Sequence, residues 1–324
     1  MTAEQILRTG SKLSRLSDGR PASRTDVDGA ETILLLIHGF TAHGDRLEDL
    51  GQSLASWSND EGFLPATTVL VFSYNSYVGI DACADVLRAK LLSIALNQVG
   101  RPESKVLDHK LVIIAHSMGG LVGRALACST PSWVRGLVML GTPNDGVQTD
   151  VTLELFLRVA ESVDDAPLPF TRLKSNKSRL QLTKRDVKDT GEPAKYIEML
   201  GRAWAELESR PRTLTISGAK NQLELSGNRI LNSLLNGRIQ KVMDKATNDG
   251  LVAETSVDMR WSVFTRTPPE YTHLNDYPEY PHLNHSNLVE NEHLARHIYN
   301  WMLVDIQARP QLPSSPAAEA AKRA

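Results

Sequence analysis

One serine of the chain stands in a context that suits nucleophilic chemistry. Ser117 lies in the segment AHSMGG, residues 115–120, directly after an apolar run and directly before a stretch with helical spacing. Small residues on both sides would let the chain turn sharply there, so that the hydroxyl projects from the edge of a sheet. The pattern departs from G-x-S-x-G at its first position, which is Ala115. We interpret it as a nucleophile elbow; the alternative is a buried serine that caps a helix.

A histidine-glycine turn follows the first apolar run, in the segment LIHGF at residues 36–40. An acyl-transfer transition state carries negative charge on the carbonyl oxygen, and two fixed backbone N–H groups can stabilise that charge. We predict that Phe40 and Met118, the residue after the serine, supply these donors. The alternative is a plain glycine turn in which His38 is a satisfied core residue.

The elements that must position these residues alternate between strands and helices. Short runs that are apolar on both faces indicate buried strands of a parallel sheet covered by helices. The predicted strands are Thr32–Ile37, Thr68–Tyr74, Lys110–Ala115, Val134–Leu140, Thr213–Ser217 and, less regular, Arg260–Phe264. Leu294, Ile298 and Trp301 recur at helical spacing and predict a closing helix over Glu292–Ile306.

The chain divides into an arm, a main domain and a tail. Residues 1–31 are predicted to be a polar arm, residues 32–308 the α/β domain, and residues 309–324 a disordered tail with few large apolar side chains. About 65 residues separate the fourth strand from the next, too many for a simple loop. We therefore predict an inserted helical cap over residues 147–211, with helices near 151–159 and 196–207.

Three motifs give the chain a resemblance to a known family. LLIHGF at 35–40, AHSMGG at 115–120 and GTPNDG at 141–146 resemble segments of the α/β-hydrolase superfamily, in particular of its lipase-like serine esterases. The resemblance covers roughly Thr32 to Gly146 and implies a mostly parallel central sheet flanked by helices. It also implies a histidine and an acid that follow the serine in the chain order Ser, Asp, His.

The acid and the base are assigned from this resemblance. Asp249, in the segment NDGLV, resembles the Asp-Gly turn after a late strand of the family; Asp145, after the fourth strand, is the alternative. His285 resembles the base that the family carries in a loop before the final helix, with His282 as the second choice. His273 lies in the same region rich in proline and tyrosine.

The resemblance implies a carboxylic ester hydrolase that acts on an ester or lipid-like small molecule through an acyl-enzyme. In that scheme Ser117 attacks, His285 transfers the proton, Asp249 orients His285, and the cap shapes specificity for the acyl group. The same residues would also suit an acyltransferase or an amidase. A binding protein on a degenerate hydrolase fold is the alternative from another class.

The composition of the chain reduces the number of functional classes that remain possible. The 324 residues carry 36 basic and 38 acidic side chains, a net charge of −2, which gives no overall field to attract nucleic acid. The 2 cysteines cannot build a disulfide framework, and no metal-ligand spacing or cofactor motif is found. A basic stretch over 172–188 is interpreted as a solvated face. Without an apolar run that predicts a membrane span or a leader, we expect a cytoplasmic protein.

Overall fold

The computed structural model of the protein describes most of the α/β core. The described residues are 10–40, 44–61, 67–95, 106–147, 181, 196–218, 220, 233, 236–237, 248–259, 270–274 and 283–307.

A seven-stranded sheet forms the centre of the described structure. Its order is β1-β3-β2-β4-β5-β6-β7, and every neighbouring pair is parallel except the edge pair β1 and β3. The strands are β1 (Lys12–Arg15), β2 (Thr32–Ile37), β3 (Thr67–Ser73), β4 (Leu111–His116), β5 (Val134–Leu140), β6 (Arg212–Ser217) and β7 (Glu270–His273).

Helices cover both faces of the sheet. They are α1 (Arg24–Asp28), α2 (Glu48–Glu61), α3 (Ile80–Ala95), α4 (Met118–Ser129), α5 (Tyr196–Glu206), α6 (Glu254–Val257) and α7 (Glu292–Gln307). Apolar side chains of α3, α4 and α5 share one hydrophobic cluster with the sheet, and those of α2 and α7 share the other. In β2, Ile33 and Leu35 face the first cluster while Leu34 and Leu36 face the second. This explains why the strand is apolar throughout.

The register of the central strands brings their carboxyl ends to one edge of the sheet. Ile37 at the end of β2 pairs with Ala115 of β4, and His116 at the end of β4 pairs with Leu140 of β5. Leu140 pairs in turn with Ile216 of β6. The segments that follow β2, β4, β5 and β6 therefore meet at the edge where open α/β sheets place their ligands.

Two short edge strands differ from the sequence expectations. Residues 12–15, assigned above to a polar arm, form β1, and residues 270–273, assigned to a loop, form β7. Each strand has only four residues and contributes few apolar side chains, Leu13 in the case of β1. Such strands lack the long apolar run that identifies a central strand, so periodicity could not reveal them.

The central strands that the sequence predicted are found within one residue of the expected bounds, and the closing helix extends to Gln307. Helix α5, Tyr196–Glu206, matches the helical patch predicted at 196–207. The predicted strand Arg260–Phe264, the tail, and the cap residues 148–195 apart from residue 181 lie outside the described residues. The cap therefore stays a prediction.

Candidate active site

Ser117 sits at a sharp turn between strand β4 and helix α4. Its φ of 52° and ψ of −128° lie in a region that residues with a side chain rarely adopt and that costs on the order of 1–3 kcal/mol. The neighbouring structure holds the turn, because the Ser117 N–H donates to the Leu140 carbonyl over 2.8 Å and the Gly120 N–H donates to the Ser117 carbonyl over 3.0 Å. The local geometry is that of the predicted nucleophile elbow.

Glycines let neighbouring backbone approach this turn. A Cβ on Gly39 would lie 2.9 Å from the Ser117 Cβ and 3.1 Å from the His116 Nδ1. A Cβ on Gly119 would collide with the carbonyl oxygens of Ile37 and His38. The His-Gly turn after β2 is thus packed directly against the serine, and side chains at either glycine would separate the two segments.

Three buried side chains form a chain of hydrogen bonds at this edge. The His285 Nε2 lies 3.0 Å from the Ser117 Oγ, and the His285 Nδ1 lies 2.8 Å from the Asp249 Oδ2. The exposed fractions are 6% for Ser117, 1% for His285 and 0% for Asp249. Since a carboxylate oxygen accepts, Nδ1 carries the ring proton and Nε2 presents its lone pair to the serine hydroxyl. The structure thus brings together three residues that are far apart in the sequence.

Backbone contacts fix the carboxylate of Asp249. Its Oδ1 accepts the N–H groups of Leu251 at 3.1 Å and Val252 at 2.8 Å. Its own carbonyl accepts the His285 N–H at 2.8 Å, so the acid and the histidine are joined through main chain as well as side chain. One oxygen is occupied by the turn, and the other remains for the imidazole.

Gly141 lies over the hydrogen bond between Asp249 and His285. Its φ is +57°, and a Cβ there would come within 2.9 Å of both the Asp249 Oδ2 and the His285 Nδ1. The first residue of the GTPNDG segment therefore needs glycine for its backbone conformation and for the space above the hydrogen bond.

His116 supports the histidine loop from the side of the serine. Its Nε2 lies 2.7 Å from the His285 carbonyl, which can only accept, so Nε2 carries the proton of a neutral ring. Although part of the residue reaches the surface, enclosure of the ring and, to a smaller extent, the electrostatic effect of His285 lower the pKa of His116 to about 3. Sequence reasoning treated His116 only as part of the elbow motif.

Of the two residues predicted to supply oxyanion donors, Met118 is next to Ser117 in the chain, and Phe40 lies in the turn that packs against it. Met118 is the first residue of α4, and Phe40 follows Gly39, whose backbone contacts Ser117. Both side chains are buried, and the Phe40 ring meets the Tyr77 ring edge to face. Within the described part of the chain, no acceptor is found for the backbone N–H of either residue.

Two of the alternative residues, Asp145 and His273, have partners outside this chain of hydrogen bonds. Asp145 lies in the loop that follows β5, and its N–H donates to the Ser256 Oγ. The His273 Nε2 lies 3.9 Å from the Glu254 Oε2. His282 lies outside the described residues. Of the histidines considered above as bases, His285 is the one that the structure brings to Ser117.

No group of three or more histidine, cysteine, aspartate or glutamate side chains within the described residues is arranged to hold a metal ion. None of the helices described here combines the length and the apolar character needed to cross a bilayer.

Comparisons with known proteins agree with the architecture. The family model of the alpha/beta hydrolase fold matches residues 98–179. Among solved structures, phospholipase PlaB from Legionella pneumophila superposes with a TM-score of 0.55 at 14% identity, covering 87% of this chain and 60% of that chain. The chain is an α/β-hydrolase-fold protein. It spans 60% of the length of PlaB.

Two further solved structures superpose with lower TM-scores. A putative lipase from Acinetobacter baumannii AYE has a TM-score of 0.43 at 14% identity, covering 95% of this chain and 97% of that chain. A carboxylesterase study of Nitrososphaera gargenis gives a neighbour with a TM-score of 0.45 at 11% identity, covering 92% and 96% of the two chains. Curated proteins yielded no sequence match. At 14% identity the superposition on PlaB shows the fold alone.

Proposed function

We propose that this α/β hydrolase is a serine esterase that cleaves carboxylic esters through an acyl-enzyme. The observation that carries the proposal is the chain of hydrogen bonds from the Ser117 Oγ to the His285 Nε2 and from the His285 Nδ1 to the Asp249 Oδ2, over 3.0 and 2.8 Å. A serine hydroxyl is a weak nucleophile at neutral pH and needs an adjacent base that a third group orients. The lipase and phospholipase names of the structural neighbours are consistent with this class of reaction.

In the proposed reaction the Ser117 Oγ attacks the ester carbonyl while its proton passes to the His285 Nε2. The carbonyl oxygen becomes an oxyanion, which accepts hydrogen bonds from the Phe40 and Met118 N–H groups. The C–O bond to the alcohol then breaks, and the proton on Nε2 goes to the departing oxygen. Asp249 keeps the imidazole in the required tautomer and stabilises its charged form.

Water completes the cycle. His285 accepts a proton from a water molecule as its oxygen attacks the acyl carbon, and the bond from that carbon to the Ser117 Oγ breaks as the serine recovers a proton. The products are a carboxylic acid and an alcohol, and no cofactor takes part in these steps. The cytoplasmic location and the role of the cap in acyl specificity stay predictions.

A series of p-nitrophenyl esters from acetyl to palmitoyl tests the proposal. We expect the wild-type protein to hydrolyse part of the series and Ser117→Ala to lose at least about 10³-fold in kcat, because no other group replaces the nucleophile. Ser58→Ala is the matched control, since Ser58 is equally buried but lies on α2 and donates to the Leu54 carbonyl. A folded wild-type protein that hydrolyses none of these esters would contradict the proposal and favour a binding protein.

A further inference from the structure

His38, the residue before Gly39 in the turn after β2, holds its ring in one tautomer through two hydrogen bonds. The Tyr74 N–H donates to the His38 Nε2 over 3.2 Å, so Nε2 carries a lone pair. The His38 Nδ1 therefore carries the proton and donates it to the Gly39 carbonyl at 2.8 Å. Both partners of the ring are main-chain groups, and one of them belongs to the segment beside the serine.

The orientation of the Gly39 carbonyl determines the direction in which the Phe40 N–H points. Gly39 and Phe40 share one peptide unit, and no cis peptide occurs in the described residues, so its C=O and N–H point in opposite directions. A hydrogen bond that draws the carbonyl towards the His38 ring therefore directs the Phe40 N–H away from that ring. The orientation of this donor is therefore coupled to the tautomer of a buried imidazole.

Nothing on Gly39 itself would preserve this orientation. Gly39 has no Cβ, and the space for one is taken by the Ser117 Cβ at 2.9 Å, so a bulkier and more restricted residue cannot replace it. Glycine leaves the peptide after it free to rotate. The restraint must come from a neighbour, and the His38 Nδ1 is in hydrogen-bonding contact with the carbonyl that would move.

The His38 ring is itself fixed in place. Its residue is 2% exposed, its ring stacks on the Tyr74 ring with centroids 4.3 Å apart, and the Tyr74 Oη donates to the His38 carbonyl over 2.7 Å. Tyr74 directly follows β3, the strand next to β2, so the anchor comes from a different segment of the chain than the His-Gly turn.

We propose that His38 is a positioning residue for the oxyanion hole: its Nδ1–H holds the peptide between Gly39 and Phe40 in the orientation that presents the Phe40 N–H to the oxyanion. This inference rests on the proposed esterase function. His38 touches neither the substrate nor the reacting atoms, and it acts through the peptide that it fixes. Its loss should affect the transition state, where the negative charge develops, and leave substrate binding nearly unchanged.

Two amide variants separate this role from a structural one. In His38→Asn the side-chain Nδ2 can occupy the place of the imidazole Nδ1 and donate to the Gly39 carbonyl. In His38→Gln the amide reaches the place of Nε2 instead, keeps an acceptor for the Tyr74 N–H and loses the donor to Gly39. Tyr299→Phe serves as the control, because it removes a buried hydrogen bond to the Trp57 carbonyl on the opposite face of the sheet.

We expect kcat for the best p-nitrophenyl ester to fall by about 10²-fold in His38→Gln, with KM changed less than about twofold, as for loss of one oxyanion donor. The affinity for a trifluoromethyl ketone, which forms a tetrahedral adduct, should fall by the same factor as kcat/KM. His38→Asn should keep kcat within about fivefold of wild type even if it unfolds at a lower temperature. Tyr299→Phe should lower the unfolding temperature and leave kcat unchanged.

Equal losses of kcat in the two amide variants, or wild-type kcat in His38→Gln, would overturn the inference. So would a loss that appears in KM alone. These results differ from failure of the proposed function, in which the wild-type protein hydrolyses no ester at all. A wild-type enzyme that loses its activity in Ser117→Ala but not in His38→Gln would retain the esterase function and exclude the positioning role.

Discussion

At the scale of single residues, Gly141 combines a positive φ with a lack of room for a Cβ beside the proposed site. Its positive φ and the absence of a Cβ allow the Asp249 carboxylate and the His285 ring to meet beneath it. The GTPNDG motif can be recognised in the sequence, but the motif alone does not explain why its first residue must be glycine. The reason lies in two side chains that arrive from more than 100 residues further along the chain.

We predict that Gly141→Ala lowers kcat by about 10²-fold, because displacement of catalytic groups by about 1 Å has effects of this size. The matched control is Gly19→Ala. Gly19 has a similar φ of +66° but no atom within 4 Å of the position of a Cβ, so it carries the same backbone penalty without the collision. Steady-state kinetics and thermal unfolding of the two variants test this. Equal kcat in both would show that the space above the hydrogen bond does not matter.

Sequence reasoning reached Ser117, Asp249 and His285 as separate candidates, but it left Asp145 and His282 open as alternatives. Chain order and loop position do not reveal the distances between side chains. The hydrogen bonds of 3.0 and 2.8 Å that join the three residues are seen only in the structure. The tautomers of His38 and His116 were equally inaccessible, because each depends on a main-chain group from another segment.

At the scale of elements, the contact between the first turn of α4 and the end of β2 sets the separation of the serine from the His-Gly turn. A Cβ on Gly119 would meet the backbone carbonyl of Ile37, the last residue of β2, and that of His38, the first residue of the turn after it. These are main-chain groups, which cannot move aside as a flexible side chain could. One helical turn later, a Cβ on Gly123 would meet only methyl groups of Ile113 and Leu137 at 3.1 Å.

We therefore predict that Gly119→Ala lowers the free energy of unfolding by about 3 kcal/mol, with a loss of kcat. Gly123→Ala should stay within about 1 kcal/mol of wild type, because the gain in helix propensity offsets the crowding. Chemical denaturation of both variants measures the difference. A smaller loss for Gly119→Ala than for Gly123→Ala would contradict the close packing of β2 against α4.

Element prediction succeeded where burial imposes a pattern. The central strands are apolar on both faces because two hydrophobic clusters enclose them, so the sequence identified them and the α/β class. Among the described residues, β1 and β7 are the first and last strands of the sheet order, so each pairs with a strand on one side only and fewer apolar residues are required there. Their positions follow from tertiary pairing, which local sequence does not encode.

At the scale of the whole molecule, the neutral His116 links stability to pH. The pKa of His116 is about 3 in the folded protein, below the ordinary value of about 6.5 that applies when the chain unfolds. Between these values the unfolded chain binds more protons, so stability falls as the pH drops from 6.5 towards 3. The slope from this one group reaches up to about 1.4 kcal/mol per pH unit.

We predict that His116→Gln makes the unfolding free energy fall less steeply over this range, because glutamine can donate to the His285 carbonyl but does not titrate. Urea unfolding of both proteins at several pH values between 4 and 7 measures the two curves. If the curves run parallel, His116 does not remain neutral in the folded protein.

The central claim is that Ser117 is a nucleophile activated by the His285 imidazole, and covalent labelling tests it most directly. The protein is treated with a fluorophosphonate, digested, and the modified peptide is sequenced by mass spectrometry. The account predicts one phosphonyl group on Ser117, unchanged labelling of Ser58→Ala, none of Ser117→Ala, and labelling of Asp249→Asn slowed by about 10³-fold or more. A phosphonyl group on another residue, or undiminished labelling of Ser117→Ala, would contradict it.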